Sequence, residues 1–133
     1  MKKEVKFDLF GDQTDYLYFG LKELRRATML TPDKLVGEVI GPLYSGAYDI
    51  DFILGLLKIG LTKCWNEKGR KIDDVEQMFE SVMDGENVTI MSFAQLLLEA
   101  LTASGFFGVP AGAVEWITKM LKILQQMAGN PQQ

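Results

Sequence analysis

Histidine is absent from this chain of 133 residues, and cysteine occurs once. The first absence removes the commonest general acid and base near neutral pH. Nucleophile–histidine pairs and histidine-bearing zinc sites cannot be built without it. The lone Cys64 rules out an intrachain disulfide framework. Long apolar runs are missing too. The strongest, Phe52 to Leu61, is interrupted by Lys58 and falls far below the roughly 18 residues a membrane span needs. The stretch Met1-Lys2-Lys3-Glu4-Val5-Lys6 is charged and no signal-type apolar run follows it. A cytoplasmic setting with no membrane partner is the expectation.

Positive charge is in short supply. The net charge is −4, which disfavours nucleic-acid binding, since that depends on a basic surface to displace counterions. The short basic clusters Lys2-Lys3, Arg25-Arg26 and Lys68 to Lys71 read as solvated helix ends and turns. Phosphate-loop spacing is absent: the glycine-bearing stretch Gly37 to Gly46 lacks the lysine. Asp84-Gly85-Glu86-Asn87 is acidic, but Val88 stands where a calcium loop needs its next ligand. Asp49 and Asp51, like Asp73, Asp74 and Glu76, suit helix N-termini. Cys64 lies in an apolar helical stretch and reads as a small buried hydrophobe. No catalytic residue, cofactor site or metal site is assigned, and a non-enzyme is expected.

What is present is apolar surface at helical spacing. Hydrophobic residues make up 47% of the chain, enough for a real core. Val5, Phe7 and Leu9 alternate with charged residues, a short strand or an extended arm over 1–12. The spacing predicts helices over Thr14–Met29, from Thr31-Pro32-Asp33 to Gly41-Pro42, and from Asp49 or Asp51 to Trp65. The third is apolar nearly all round, the mark of a buried central helix. Its Gly55 and Gly60 would let a neighbouring helix approach closely. A fourth helix spans Ile72 to Asp84, with a capping-box pattern at Asp73 and Glu76. A fifth runs from Thr89 to Gly105, and a sixth from Pro110 to Ala128, before a polar tail over 129–133. The expectation is one all-α domain over 1–133, a compact bundle of about five to six helices.

The second half of the chain is rich in adaptable apolar side chains. Met78, Met83, Met91, Met120 and Met127 all fall there. Methionine suits grooves that accept varied helical partners, although core filling is its commoner use. Phe106 and Phe107 sit in a short link between Gly105 and Pro110. They either plug the core or present an anchor to a partner. Phe106, Phe107, Val109, Trp116, Met120 and Met127 are the candidate partner-binding residues. Serine at both phenylalanines is expected to weaken binding and leave the melting temperature nearly unchanged, provided the two rings are exposed.

The order of segments resembles a known family. A charged N-terminal stretch leads to Tyr18-Phe19-Gly20-Leu21-Lys22-Glu23-Leu24-Arg25-Arg26. The apolar helix Asp51-Phe52-Ile53-Leu54-Gly55-Leu56-Leu57-Lys58-Ile59-Gly60-Leu61 follows. Then come the acidic helix Ile72 to Asp84 and the segment ending Leu101-Thr102-Ala103-Ser104-Gly105-Phe106-Phe107. This is similar to the tail assembly chaperones of long-tailed bacteriophages of Gram-positive hosts, over residues 5–107. The likeness rests on segment order and character, without an invariant motif. It implies a small helical protein of the host cytoplasm, absent from the mature virion. Such a protein binds the long helical tape measure protein, keeps it soluble while the tail tube assembles, and is displaced by tube subunits. It also implies weak self-association, and it carries no catalytic residues over. The alternatives are a helical oligomeric structural subunit and a small adaptor that binds one folded partner.

Overall fold

The structure, a computed structural model, describes residues 3–108 and 113–129, and in the last helix the side chains of 119–127. Six helices and one two-stranded sheet are present among the described residues: β1 (Glu4–Lys6), β2 (Tyr16–Tyr18), α1 (Leu21–Thr28), α2 (Gly37–Ser45), α3 (Ile50–Glu67), α4 (Asp74–Met83), α5 (Ile90–Ala103) and α6 (Ala113–Gly129). The fold is mostly helical with a short N-terminal strand, as the sequence leads one to expect; the second strand that pairs with it is not foreseen.

Of the two expectations for the N-terminal segment the strand is the one formed, whereas the long first helix is not. β1 and β2 pair antiparallel in the register Glu4↔Tyr18, Val5↔Leu17, Lys6↔Tyr16. Tyr16-Leu17-Tyr18 is half-buried, buried, half-buried. That is a period of two carried by residues that favour strands, and it wins over helical spacing here. The loop between the strands turns at Gly11, whose φ of +87° is the left-handed region glycine allows. Asp12 Oδ1 accepts from the Thr14 amide and hydroxyl at 2.8 and 2.6 Å, an Asx-type turn. Far from being a free arm, this segment puts Phe7 fully inside the core and Phe10 at its edge. Only the second half of the predicted first helix forms, as α1. Its start at Gly20 is held by Glu23, whose Oε1 accepts from the Gly20 amide at 2.9 Å.

Two further boundaries shift. Thr31-Pro32-Asp33 does not open a helix, because Lys34 takes a left-handed φ of +58°. Glu38 Oε1 instead accepts from the Asp33 and Leu35 amides at 3.1 and 3.2 Å, and the helix begins at Gly37. Pro42 lies inside α2 rather than at its end. It withholds one backbone donor, but Val39 and Leu43, buried on either side of it, keep the helix against the core. Gly46, left-handed at +78°, ends it and donates to the Pro42 carbonyl at 2.9 Å. Before α4, Asp73 makes no side-chain cap bond, so the capping box read at Asp73 and Glu76 is not formed. Asp49, by contrast, caps α3, its Oδ1 accepting from the Phe52 amide at 2.8 Å.

α3 is the centre, with Ile53, Leu56, Leu57, Ile59, Gly60, Leu61, Cys64 and Trp65 all buried. β2, α1, α4 and α5 pack around it. Gly60 is what lets the strand pair come close. A Cβ built there would lie 2.9 Å from Phe19 Cζ and 3.0 Å from Leu17 Cδ2. At Gly55 the neighbour is Leu30, whose Cδ1 would be 2.8 Å away. The close approach expected of a neighbouring helix at these glycines is made instead by the strand pair and by a loop residue. An aromatic seam closes the core: Phe93 meets Phe79 edge-on with centroids 5.0 Å apart, and Phe7 meets Phe10 in the same way at 5.0 Å.

Candidate interaction surface

Among the described residues, one cluster joins carboxylates, a thiol and cations around a buried acid. Lys68, just past α3, donates to Asp15 Oδ1 at 2.7 Å, to Thr14 Oγ1 at 2.6 Å and to Asp12 Oδ2 at 3.1 Å. The Cys64 thiol donates to the same Asp15 oxygen at 3.5 Å. The Arg70 guanidinium lies 3.7 Å over the Trp65 ring and approaches both aspartates. Burial pushes the Cys64 thiol up, away from the thiolate a nucleophile needs. The bonds from Thr14 and then Lys68 hold Asp12 well below the usual carboxylate range. The bond to Asp15 raises Lys68. Asp12 and Lys68 are thus driven toward their charged, ion-paired forms, and Asp15 is only 1% exposed. The cluster clasps the strand-pair loop to the end of α3. No group of three or more potential metal ligands occurs among the described residues.

The candidate partner-binding residues are not equivalent. Phe106 and Phe107 are half-buried and pack against the core, so they are partly plugs. Val109 and the side chain of Trp116 lie outside the described residues. Met120 and Met127 are exposed on α6. They belong to a larger feature: every described side chain of α6, from Lys119 to Met127, is exposed. Met120, Leu121, Ile123, Leu124 and Met127 show between 39 and 67% of their surface. Their spacing keeps them on one broad stripe of the helix. Scattered single apolar residues on a surface need no explanation, whereas a contiguous stripe marks a contact site. Of the other methionines, Met78 and Met83 pack against the core and Met91 is exposed.

Two grooves on the rest of the chain carry opposite charge. One, of about 570 Å3, runs along α1 between the exposed Leu21 and Met29 and is lined by Lys22, Arg25, Arg26 and Lys34. The sequence placed Arg25 and Arg26 at a helix end but gave no sign that Lys34 joins them. The other, of about 500 Å3, lies where the α1–α2 loop, α2 and the start of α3 meet. Leu30, Pro32, Pro42, Ala47, Tyr48 and Phe52 supply its apolar lining. Its charged residues are all acidic: Glu38, Asp49 and Asp51. Nothing in the local pattern foretold this groove, since it depends on how a loop and two helices converge.

Comparison with known proteins leaves the surface to speak for itself: no family model, no curated protein and no solved structure matches the chain. Among the described residues, no helix is long and apolar enough to cross a membrane.

Proposed function

We propose that this chain is a non-enzymatic binding protein that covers apolar helical segments of a partner, and specifically a tail assembly chaperone for a phage tape measure protein. The observation that carries the reading is the exposed stripe of α6, five large apolar side chains among its described residues 119–127. An amphipathic helix with that stripe can lie against the apolar face of another helix in the helix-in-groove manner. Met120 and Met127 at its edge adapt to irregular partners. A long client offers the same kind of stripe many times, so modest contacts sum through avidity. Modest single contacts are also what displacement by tube subunits demands. The net charge of −4 favours solubility of a loaded complex. The segment order set out above supplies the specific family.

The test is co-expression with a phage tape measure protein, scoring how much of it stays soluble and how many copies of this chain co-purify. Rescue with several copies per client is expected. The variant Leu121→Glu/Leu124→Glu should abolish the rescue while keeping its own melting temperature. A client that remains insoluble beside a soluble, well-folded chain would overturn the reading. The paired change Phe106→Ser/Phe107→Ser is no longer the clean probe, because both rings pack against the core. It is expected to lower the melting temperature by several degrees.

A further inference from the structure

The acidic groove and α6 are both open in the same chain, and they are complementary. The groove is apolar at its walls and holds Glu38, Asp49 and Asp51 with no base among its lining residues. α6 presents an apolar stripe, and its described charges, Lys119 and Lys122, are both positive. Lys119 borders the stripe, one helical turn from Ile123. Around 500 Å3 of space takes a few side chains of a helix face, not a whole helix. That matches recognition by anchors at i, i+3 and i+7. Among the described side chains of α6, 119–127, none lines the groove and all are exposed, so this stretch is not seated there within its own chain.

We propose that α6 of one copy docks in the groove between Leu30 and Phe52 of a second copy, with Lys119, at the border of the stripe, set toward the Glu38, Asp49 and Asp51 side. Each copy then gives one helix and receives one. The contact is head-to-tail, so it closes into a ring or continues as an open series. This inference needs no client and stands or falls apart from the chaperone reading.

Sedimentation of the full chain over a wide concentration range is the first arm, and stepwise association is expected. The groove is blocked by Ala47→Arg, at an exposed position in its lining. The helix is disabled by Leu121→Glu/Leu124→Glu. Each variant alone should associate at least ten-fold more weakly than wild type, with unchanged circular dichroism. Mixed together they should form a one-to-one dimer that grows no further, because one supplies an intact groove and the other an intact helix. A second pair, Asp51→Lys and Lys119→Glu, should likewise associate weakly apart and recover when combined in one chain. Added salt should loosen the wild-type series. A wild type that stays monomeric at every concentration would overturn the proposal, as would docking of α6 within its own chain. So would a groove variant that associates like wild type, which would mean α6 pairs with α6. A mixture that yields no dimer would have the same force.

Discussion

α3 and α6 are nearly equal in length, 18 and 17 residues, and both carry large apolar side chains at helical spacing. Their fates are opposite. In α3 eight residues are buried and four other elements close around them. In α6 all described side chains from 119 to 127 are exposed. Apolar periodicity states that a face is to be buried; it does not state against what. Within one chain the two helices separate apolar surface that the fold buries from apolar surface that it leaves exposed.

The contrast breaks most sharply under truncation. Phe93→Ala removes a ring that touches Phe7, Phe10 and Phe79. It should cost about 3–5 kcal/mol of unfolding free energy in urea. Leu121→Glu/Leu124→Glu should stay within about 0.5 kcal/mol when measured at concentrations where the chain is monomeric. If the α6 variant instead loses several kcal/mol, α6 is packed into the fold and the division between the two helices fails.

A finer version lies inside α3. Gly60→Ala gains roughly 1 kcal/mol of helix propensity. It also drives a methyl into Phe19 and Leu17, both buried and held on all sides. Overpacking of that kind costs about 1–3 kcal/mol, so the net change should be destabilising. Gly55→Ala gains the same propensity against Leu30, which is 41% exposed and free to swing away. It should be neutral or stabilising in the same urea titration. Equal losses at both positions would mean that Leu30 is held as firmly as Phe19.

How much of this was legible follows from what each signal measures. The central helix was readable because burial on all sides leaves an apolar residue at nearly every position, from Ile53 to Leu61. The stripe of α6 was readable too, but not its exposure, since that depends on the rest of the fold offering no place for it. The strand at Tyr16–Tyr18 was lost inside a helical reading because Leu17, Leu21 and Leu24 also fit a helix face, and three residues are too few for alternation to compete. Lys34 hid the start of α2, since a lysine gives no warning of a left-handed φ. The acidic groove and the basic strip on α1 are products of tertiary convergence. Their members are separated by up to 22 positions, from Leu30 to Phe52, and no local spacing encodes that.

The smallest effect concerns the clasp that α3 has and α6 lacks. Asp12 holds its carboxylate below the usual range through Thr14 and Lys68. A carboxylate whose folded pKa is depressed contributes stability that is fully present above its unfolded value, about 3.9. That contribution is lost as pH falls below this value toward the folded pKa. Lys68 has the opposite sign: its raised pKa contributes below the ordinary lysine value of about 10.4 and fades as pH climbs past it. Asp12→Asn should therefore flatten the acid limb of a stability–pH curve below about pH 4 and leave the limb between pH 5 and 8 parallel to wild type. The shift will be modest, since Asp12 is partly open to screening by solvent. Lys122→Gln on α6 should leave the acid limb as it is, because Lys122 stands outside the clasp and carries no carboxylate to protonate. If both variants flatten it alike, the acid sensitivity belongs to the net charge of the chain, and the clasp at the end of α3 is no different from the open surface of α6.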